Sequence, residues 1–262
     1  MAVPPPPPEI QARLEWANRI SQEVGELLVS SFRTGVAAER KDRGIVTELD
    51  RRAERFIAGS LAAAFPGDGL LAEEGTGREA TSGYRWVVDP LDGTTNYVTG
   101  LPMFAVSLGC LDEKGAVVGA VHAPALGDTF TAFRGGGFDR PDPAAVPDLG
   151  TSVFILNKAY HPASMLWTVA GGLAGSVRAF RMFGCVSLDL ALVAAGRADG
   201  LILLPADPWD VAAGLLLIEE AGLRAGDLGG GTDMSGRRGI LATSSSLFAT
   251  AARLLDPSPL PG

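Results

Sequence analysis

Apolar residues recur at helical spacing near the start of the chain: Ile10, Leu14, Ala17, Ile20, Val24, Leu27 and Leu28 in "IQARLEWANRISQEVGELLVSSF". With the charges on the opposite side, this predicts a first amphipathic helix. "ELDRRAERFIAGSLAAAF" predicts a second, stopped at Pro66-Gly67. The texture then changes to short apolar runs broken by Gly and Pro, "GLLAEEG", "YRWVVDP", "MFAVSLGCLD" and "GAVVGAVHAP", which predict strands, the last three as hairpin neighbours. Further on, "SLDLALVAAGRADG" and "WDVAAGLLLIEEAG" predict helices flanking a strand "GLILLP", and "RGILATSS" a last strand before the helix "SLFATAARLL". This alternation predicts α and β elements in packed layers.

Set against these elements, the acidic residues fall at ends. Glu73 and Glu74 follow "GLLA", Asp89 and Asp92 follow "RWVV", and Asp210 opens a helix. Each has an ordinary explanation. Asp-Pro and Asp-Gly are turn formers, a helix-opening Asp is a cap, and paired glutamates suit a solvated edge. Taken together, the carboxylates suit a hard divalent cation, which takes oxygen ligands from a few acidic side chains and a substrate phosphate.

Composition narrows the chemistry. The chain has 262 residues and two histidines, His122 and His161, neither in a ligand-spaced pair, so both read as structural. Cys110 and Cys185 lie far apart with no C-x-x-C, against a disulfide framework or thiolate zinc site and in favour of a reducing cytoplasm. A formal net charge of -8 and a pI near 4.8 argue against nucleic acid as a partner. No apolar run reaches the ~20 residues that span a bilayer, so no membrane partner is expected. The start, "MAVPPPPPEI", lacks a signal-peptide pattern, and residues 1-9 read as an extended proline arm.

Behind Asp92 stand Gly93, Thr94 and Thr95. At the start of a helix, unpaired N–H groups favour an anion, and a glycine lets phosphate approach the backbone. Carboxylates for cations beside such a turn suit phosphoryl transfer to water.

At this point the chain resembles the inositol monophosphatase family of magnesium-dependent, lithium-sensitive sugar-phosphate phosphatases. The resemblance rests on "WVVDPLDGTTNY" and "WDVAAGLLLIEEAG", with weaker matches in "VTELD", the Glu73-Glu74 pair and "LDLALVAAGRADG". It implies an α/β, α+β layered fold: a five-layer αβαβα sandwich forming one phosphatase domain over 10-262. Its halves would be a metal and phosphate half at about 10-145 and a substrate half at 146-262. It implies a homodimer, and two or three Mg2+ ions held by Glu73, Asp89, the Leu91 carbonyl, Asp92 and Asp210. Gly93 and Thr94 would bind phosphate. Thr94, paired with Asp50, would join Glu73 in orienting and deprotonating the attacking water. Leu203, Asp207 and Val186 are the candidate substrate contacts.

The chain also departs from the pattern. Leu203 stands where inositol-selective members carry a Glu, and Gly44 where an Asp is common, in a loop made basic by Arg40, Lys41 and Arg43. "GGGFDRPDPAAVPDLGTS" lacks the usual small polar hairpin tip. The expected reaction is hydrolysis of a small phosphorylated metabolite, inositol 1-phosphate or a similar polyol or sugar phosphate. Histidinol phosphate, fructose 1,6-bisphosphate, NADP and adenosine 3',5'-bisphosphate remain alternatives, as does a non-catalytic regulatory protein on the same fold. A Leu at 203 predicts weak discrimination among polyol phosphates, because leucine cannot bond a substrate hydroxyl.

Overall fold

The computed structural model describes residues 5–41, 44–138, 148–233 and 236–260. The helices are α1 (Pro8–Ser31), α2 (Glu48–Ala64), α3 (Thr94–Thr99), α4 (Ala163–Ala170), α5 (Val186–Ala194), α6 (Pro208–Glu220) and α7 (Ser245–Leu254). The strands of the first half are β1 (Ala38–Arg40), β2 (Ile45–Thr47), β3 (Gly69–Ala72), β4 (Gly77–Arg78), β5 (Arg85–Asp92), β6 (Ala105–Asp112), β7 (Gly115–Ala123) and β8 (Asp128–Phe133). Those of the second half are β9 (Val153–Asn157), β10 (Ala179–Arg181), β11 (Gly200–Leu203), β12 (Arg224–Gly226) and β13 (Ile240–Thr243).

One sheet has the order β4-β3-β5-β6-β7-β8, antiparallel apart from the parallel β3–β5 pair. A second has the order β10-β9-β11-β13-β12, and β1 and β2 form a separate hairpin. Helices α1 and α2 cover the outer face of the first sheet through Ile20, Val24, Ile57 and Leu61, packed on Trp86, Val88 and Leu108. Helices α5 and α6 fill the space between the sheets, and α4 and α7 cover the outer face of the second. The result is the expected αβαβα order of five layers.

The middle layer explains a feature of its sequence. Nearly every residue of α5, and of α6 from Asp210 to Ile218, is buried or half-buried, so neither helix has a wet face. A helix apolar all round belongs inside. Helix α6 also lies unusually close to the first sheet. A Cβ at Gly109 would stand 3.0 Å from Ala212 Cβ, and one at Gly119 would stand 2.9 Å from the Ala213 carbonyl oxygen. Glycine at these two strand positions sets the helix-to-sheet distance.

The first core layer contains a buried ion pair. Arg13 on α1 donates from Nε to Asp68 Oδ2 (2.9 Å) and from Nη2 to Asp68 Oδ1 (2.7 Å), and Trp86 Nε1 donates to the same carboxylate at 3.0 Å. With its partners satisfied in this way, a buried charge pair is tolerated and fixes the register of α1 against the loop behind α2.

The proline arm is shorter than expected. Pro8 is the first residue of α1, where its fixed φ suits a helix start and its missing N–H costs nothing, and Pro7 is the cap. Residues 1–4 lie outside the described residues, as do Arg43 and positions 139–147 of the atypical stretch.

Candidate active site

The strand that was expected to end at Val88 runs on to Asp92. Asp89 pairs with Ser107 and Asp92 with Ala105, so β5 spends three residues where β6 spends two. This bulge matters for direction. Residues three apart on a regular strand face opposite sides, and one extra residue restores the parity, so both carboxylates reach the same side of the sheet.

Asp210 arrives from the other layer, at the third position of α6. Among the described residues, Asp89, Asp92 and Asp210 each present an oxygen such that all lie within 4.8 Å of one another, and all three are buried. Asp210 is a cap as well: its Oδ2 accepts from the Asp207 N–H at 3.0 Å. Asp89 Oδ1 accepts from the Leu91 N–H at 2.9 Å. Asp92 Oδ2 accepts from the Ser187 N–H (2.6 Å) and from Ser187 Oγ (2.7 Å) at the start of α5.

Burial pushes the pKa of Asp89 and of Asp210 well above the carboxylate range, and repulsion from neighbouring acids adds to it. Burial raises Asp92 too, opposed by the Ser187 hydrogen bonds. A cluster that resists its own ionisation in this way is what a cation would relieve. The donors are all oxygen, which fits a hard divalent ion and not a soft one. The histidines stand elsewhere: His122 Nδ1 bonds the Asp128 carbonyl and Thr129 Oγ1, and His161 Nε2 bonds the Pro205 carbonyl.

Glu73 follows β3 and lines the same cavity. Burial raises its pKa, opposed by Lys41, whose Nζ lies 2.8 Å from Glu73 Oε1 and also bonds Glu74. Glu73 and Asp89 share a hydrogen bond that raises Asp89.

Gly93 has φ +83° and caps α3, and a Cβ there would stand 2.7 Å from the Met103 carbonyl oxygen, so only glycine fits. Thr94 Oγ1 lies 3.0 Å from Asp50 Oδ1 and 2.9 Å from the Leu91 carbonyl oxygen. Asp50 is held in turn by the Thr47 N–H, at 2.9 Å, and by the Thr47 hydroxyl. Its pKa is raised by burial, against these hydrogen bonds.

A cavity of about 520 Å3 joins these groups, with Gly93, Thr94 and the acids in its lining. The lining also includes Lys158, Tyr160, Met182, Phe183 and Val186. The sequence had pointed to Val186 alone among these five. Lys158 and Tyr160 sit in "NKAYH" just past β9, a segment without a motif, and Ser187 was hidden inside an apolar helix.

Two expected substrate contacts lie elsewhere. Leu203 is fully buried between the layers with Leu201, while Ile202 and Leu204 face the opposite core. Strand alternation turns its side chain into the middle layer, so the selectivity argument built on it does not stand. Asp207 caps α6 and is not part of the cavity lining. Leu203→Glu should therefore act on stability, burying a charge without a partner at a cost of about 3 kcal/mol or more in urea unfolding. A loss under about 1 kcal/mol, with altered substrate preference, would return Leu203 to the cavity.

Comparisons with known proteins identify the family. A profile of the inositol monophosphatase family matches residues 9–258. The inositol-1-monophosphatase of Rhizobium meliloti (strain 1021) is 41% identical over 230 residues, covering 82% of this chain and 84% of that protein. The Nus factor SuhB of Escherichia coli (strain K12) is 35% identical over 229 residues, covering 83% and 86%. A solved structure, the extragenic suppressor protein suhB of Bartonella henselae, superposes with a TM-score of 0.84 at 33% identity over 92% of this chain and 97% of that one. With a match over nearly its whole length and a relative 41% identical over most of it, the chain belongs to the inositol monophosphatase family.

Proposed function

We propose that the protein is a Mg2+-dependent phosphomonoesterase hydrolysing a small phosphorylated polyol or sugar of the inositol 1-phosphate kind, as a cytoplasmic homodimer. The observation that carries this reading is the meeting of Asp89, Asp92 and Asp210 beside the Thr94–Asp50 pair. Glu73, Asp89, the Leu91 carbonyl, Asp92 and Asp210 would hold two or three ions. When bound, these ions supply positive charge to the phosphate oxygens and the leaving group.

The protein's own groups do the rest. The amides at the start of α3 point outward from Gly93 and Thr94 and offer donors to the phosphate. Thr94 has one hydroxyl proton and two acceptors in reach, Asp50 and the Leu91 carbonyl. When that proton points to Asp50, the Thr94 oxygen is free to accept one from the attacking water. Glu73, which lines the same cavity, is a second acceptor. Burial raises both acids above the ordinary carboxylate range.

The rest of the cavity lining supports a tolerant enzyme. It is mainly apolar with one ammonium, Lys158, and Asn157 spends both ends of its amide on the protein. Phosphate release should require Mg2+. The values of kcat/KM for inositol 1-phosphate, glycerol 2-phosphate and histidinol phosphate should fall within about tenfold of one another, since a mainly apolar wall discriminates weakly. Strict selectivity for inositol 1-phosphate would overturn the tolerant wall, and no release from any ester would overturn the enzyme. The second reading, a regulatory protein on this fold, draws on the name of the E. coli relative. It gives no reason to bury three repelling carboxylates together. Pairing of two copies is proposed from the family alone, and light scattering would test it.

A further inference from the structure

Asp189 on α5 is fully buried, and its Oδ1 has no hydrogen-bond partner among the described residues. A carboxyl group sealed away half-satisfied is costly, so what its other oxygen does needs a reason. Oδ2 accepts from Asn157 Nδ2 at 2.7 Å. Asn157, the last residue of β9, accepts in turn from the Ala159 N–H through Oδ1 at 2.8 Å.

Ala159 has φ +46°, in the left-handed region that a residue with a Cβ rarely enters. An Asn side chain bonded two residues on is a local means of holding such a turn. The turn closes with His161 N–H donating to the Lys158 carbonyl at 2.9 Å. Lys158, Ala159 and Tyr160 all line the cavity. The Tyr160 ring lies beside Gly44, where a Cβ would stand 3.4 Å from Cε1. Two residues before Asp189, Ser187 holds Asp92. One stretch of α5 therefore bonds both Asp92 of the acid cluster and, through Asn157, the turn at Lys158–Tyr160.

We propose that Asp189 and Asn157 are positioning residues for the substrate. Asp189 fixes Asn157, Asn157 holds Ala159 in its left-handed conformation, and that turn sets Lys158 and Tyr160 against the organic part of the phosphoester. The proposal rests on the phosphatase reading. It assigns the pair to substrate binding and not to the metal cluster.

Asn157→Ala should raise KM for inositol 1-phosphate about tenfold with kcat within about threefold, the pattern of a lost binding contact. The Ki of inorganic phosphate, which occupies only the phosphate end, and the Mg2+ Kd from calorimetry should stay within about twofold. Adding Ala159→Gly should return KM to within about threefold of wild type, because glycine adopts this conformation without the side-chain tie. Asp189→Asn keeps an acceptor for Asn157 and should keep the wild-type KM, while Asp189→Leu should behave as Asn157→Ala. Amide exchange over residues 157–161 reads the turn without turnover and should speed up in Asn157→Ala and Asp189→Leu. A wild-type KM in Asn157→Ala, or a parallel fall in kcat and Mg2+ affinity, would overturn the proposal. A wild-type protein that hydrolyses no ester removes the phosphatase reading, and unchanged exchange in Asn157→Ala then removes the turn mechanism as well.

Discussion

Asp92→Asn lowers kcat by about two orders of magnitude or more, and Asp210→Asn does the same, because charge stabilisation at a metal cluster is worth several kcal/mol and each 1.36 kcal/mol is tenfold. Asparagine keeps the shape of the side chain and one carbonyl oxygen, so the Ser187 donors that hold position 92 keep an acceptor. What leaves is a negative charge from a cluster whose oxygens lie within 4.8 Å of one another. The fold should survive. Burial and repulsion already oppose ionisation here, so the neutral side chain relieves strain in the metal-free protein. Thr94→Ala should provide the contrast, with a lower rate and little change in Mg2+ affinity, since its hydroxyl bonds Asp50 and its proposed work is on water. A steady-state rate within threefold of wild type for Asp92→Asn would reduce Asp92 to a turn former.

Removing Mg2+ with excess EDTA should abolish hydrolysis, Li+ should inhibit it, and the melting temperature should follow both pH and metal. Asp89, Asp92 and Asp210 have folded pKa values above their unfolded ones. The folded protein therefore holds protons that the unfolded chain has released. That contribution to stability is complete below the ordinary carboxylate range near 4 and is lost as pH rises through the raised values. The metal-free protein should melt progressively lower from about pH 5 to pH 8, while Mg2+, which binds the ionised cluster, should raise the melting temperature more at the upper end. Scanning calorimetry with and without Mg2+ measures this. An equal gain at pH 5 and pH 8 would show that the cluster is already ionised or does not bind the cation.

Much of this was legible in the chain because it is local. The spacing of Ile10 through Leu28 specifies α1, and the Gly- and Pro-bounded runs specify β5 to β7. The two long motifs place Asp89, Asp92 and Asp210. What failed needed a third dimension. The resemblance to inositol-selective members selects Leu203, but only the alternation of β11 between two cores tells which way its side chain turns. The run through Pro90 read as a strand end because proline and aspartate break strands, whereas a bulge carries β5 through them. Lys158 and Tyr160 carry no pattern of their own and reach the cavity through a buried bond to another layer.

The close seating of α6 on Gly109 and Gly119 has a reach beyond packing. Asp210 rides on that helix, while Asp89 and Asp92 ride on the sheet beneath it. The spacing between the carboxylates is thus geared to the thickness of a glycine contact that touches no ligand. A methyl group added at position 119 would meet the Ala213 backbone and jack the helix away from the sheet, carrying Asp210 with it. In a lineage of such proteins, drift at these two silent strand positions would retune the jaw that closes on the cations while every residue in the cavity stayed the same.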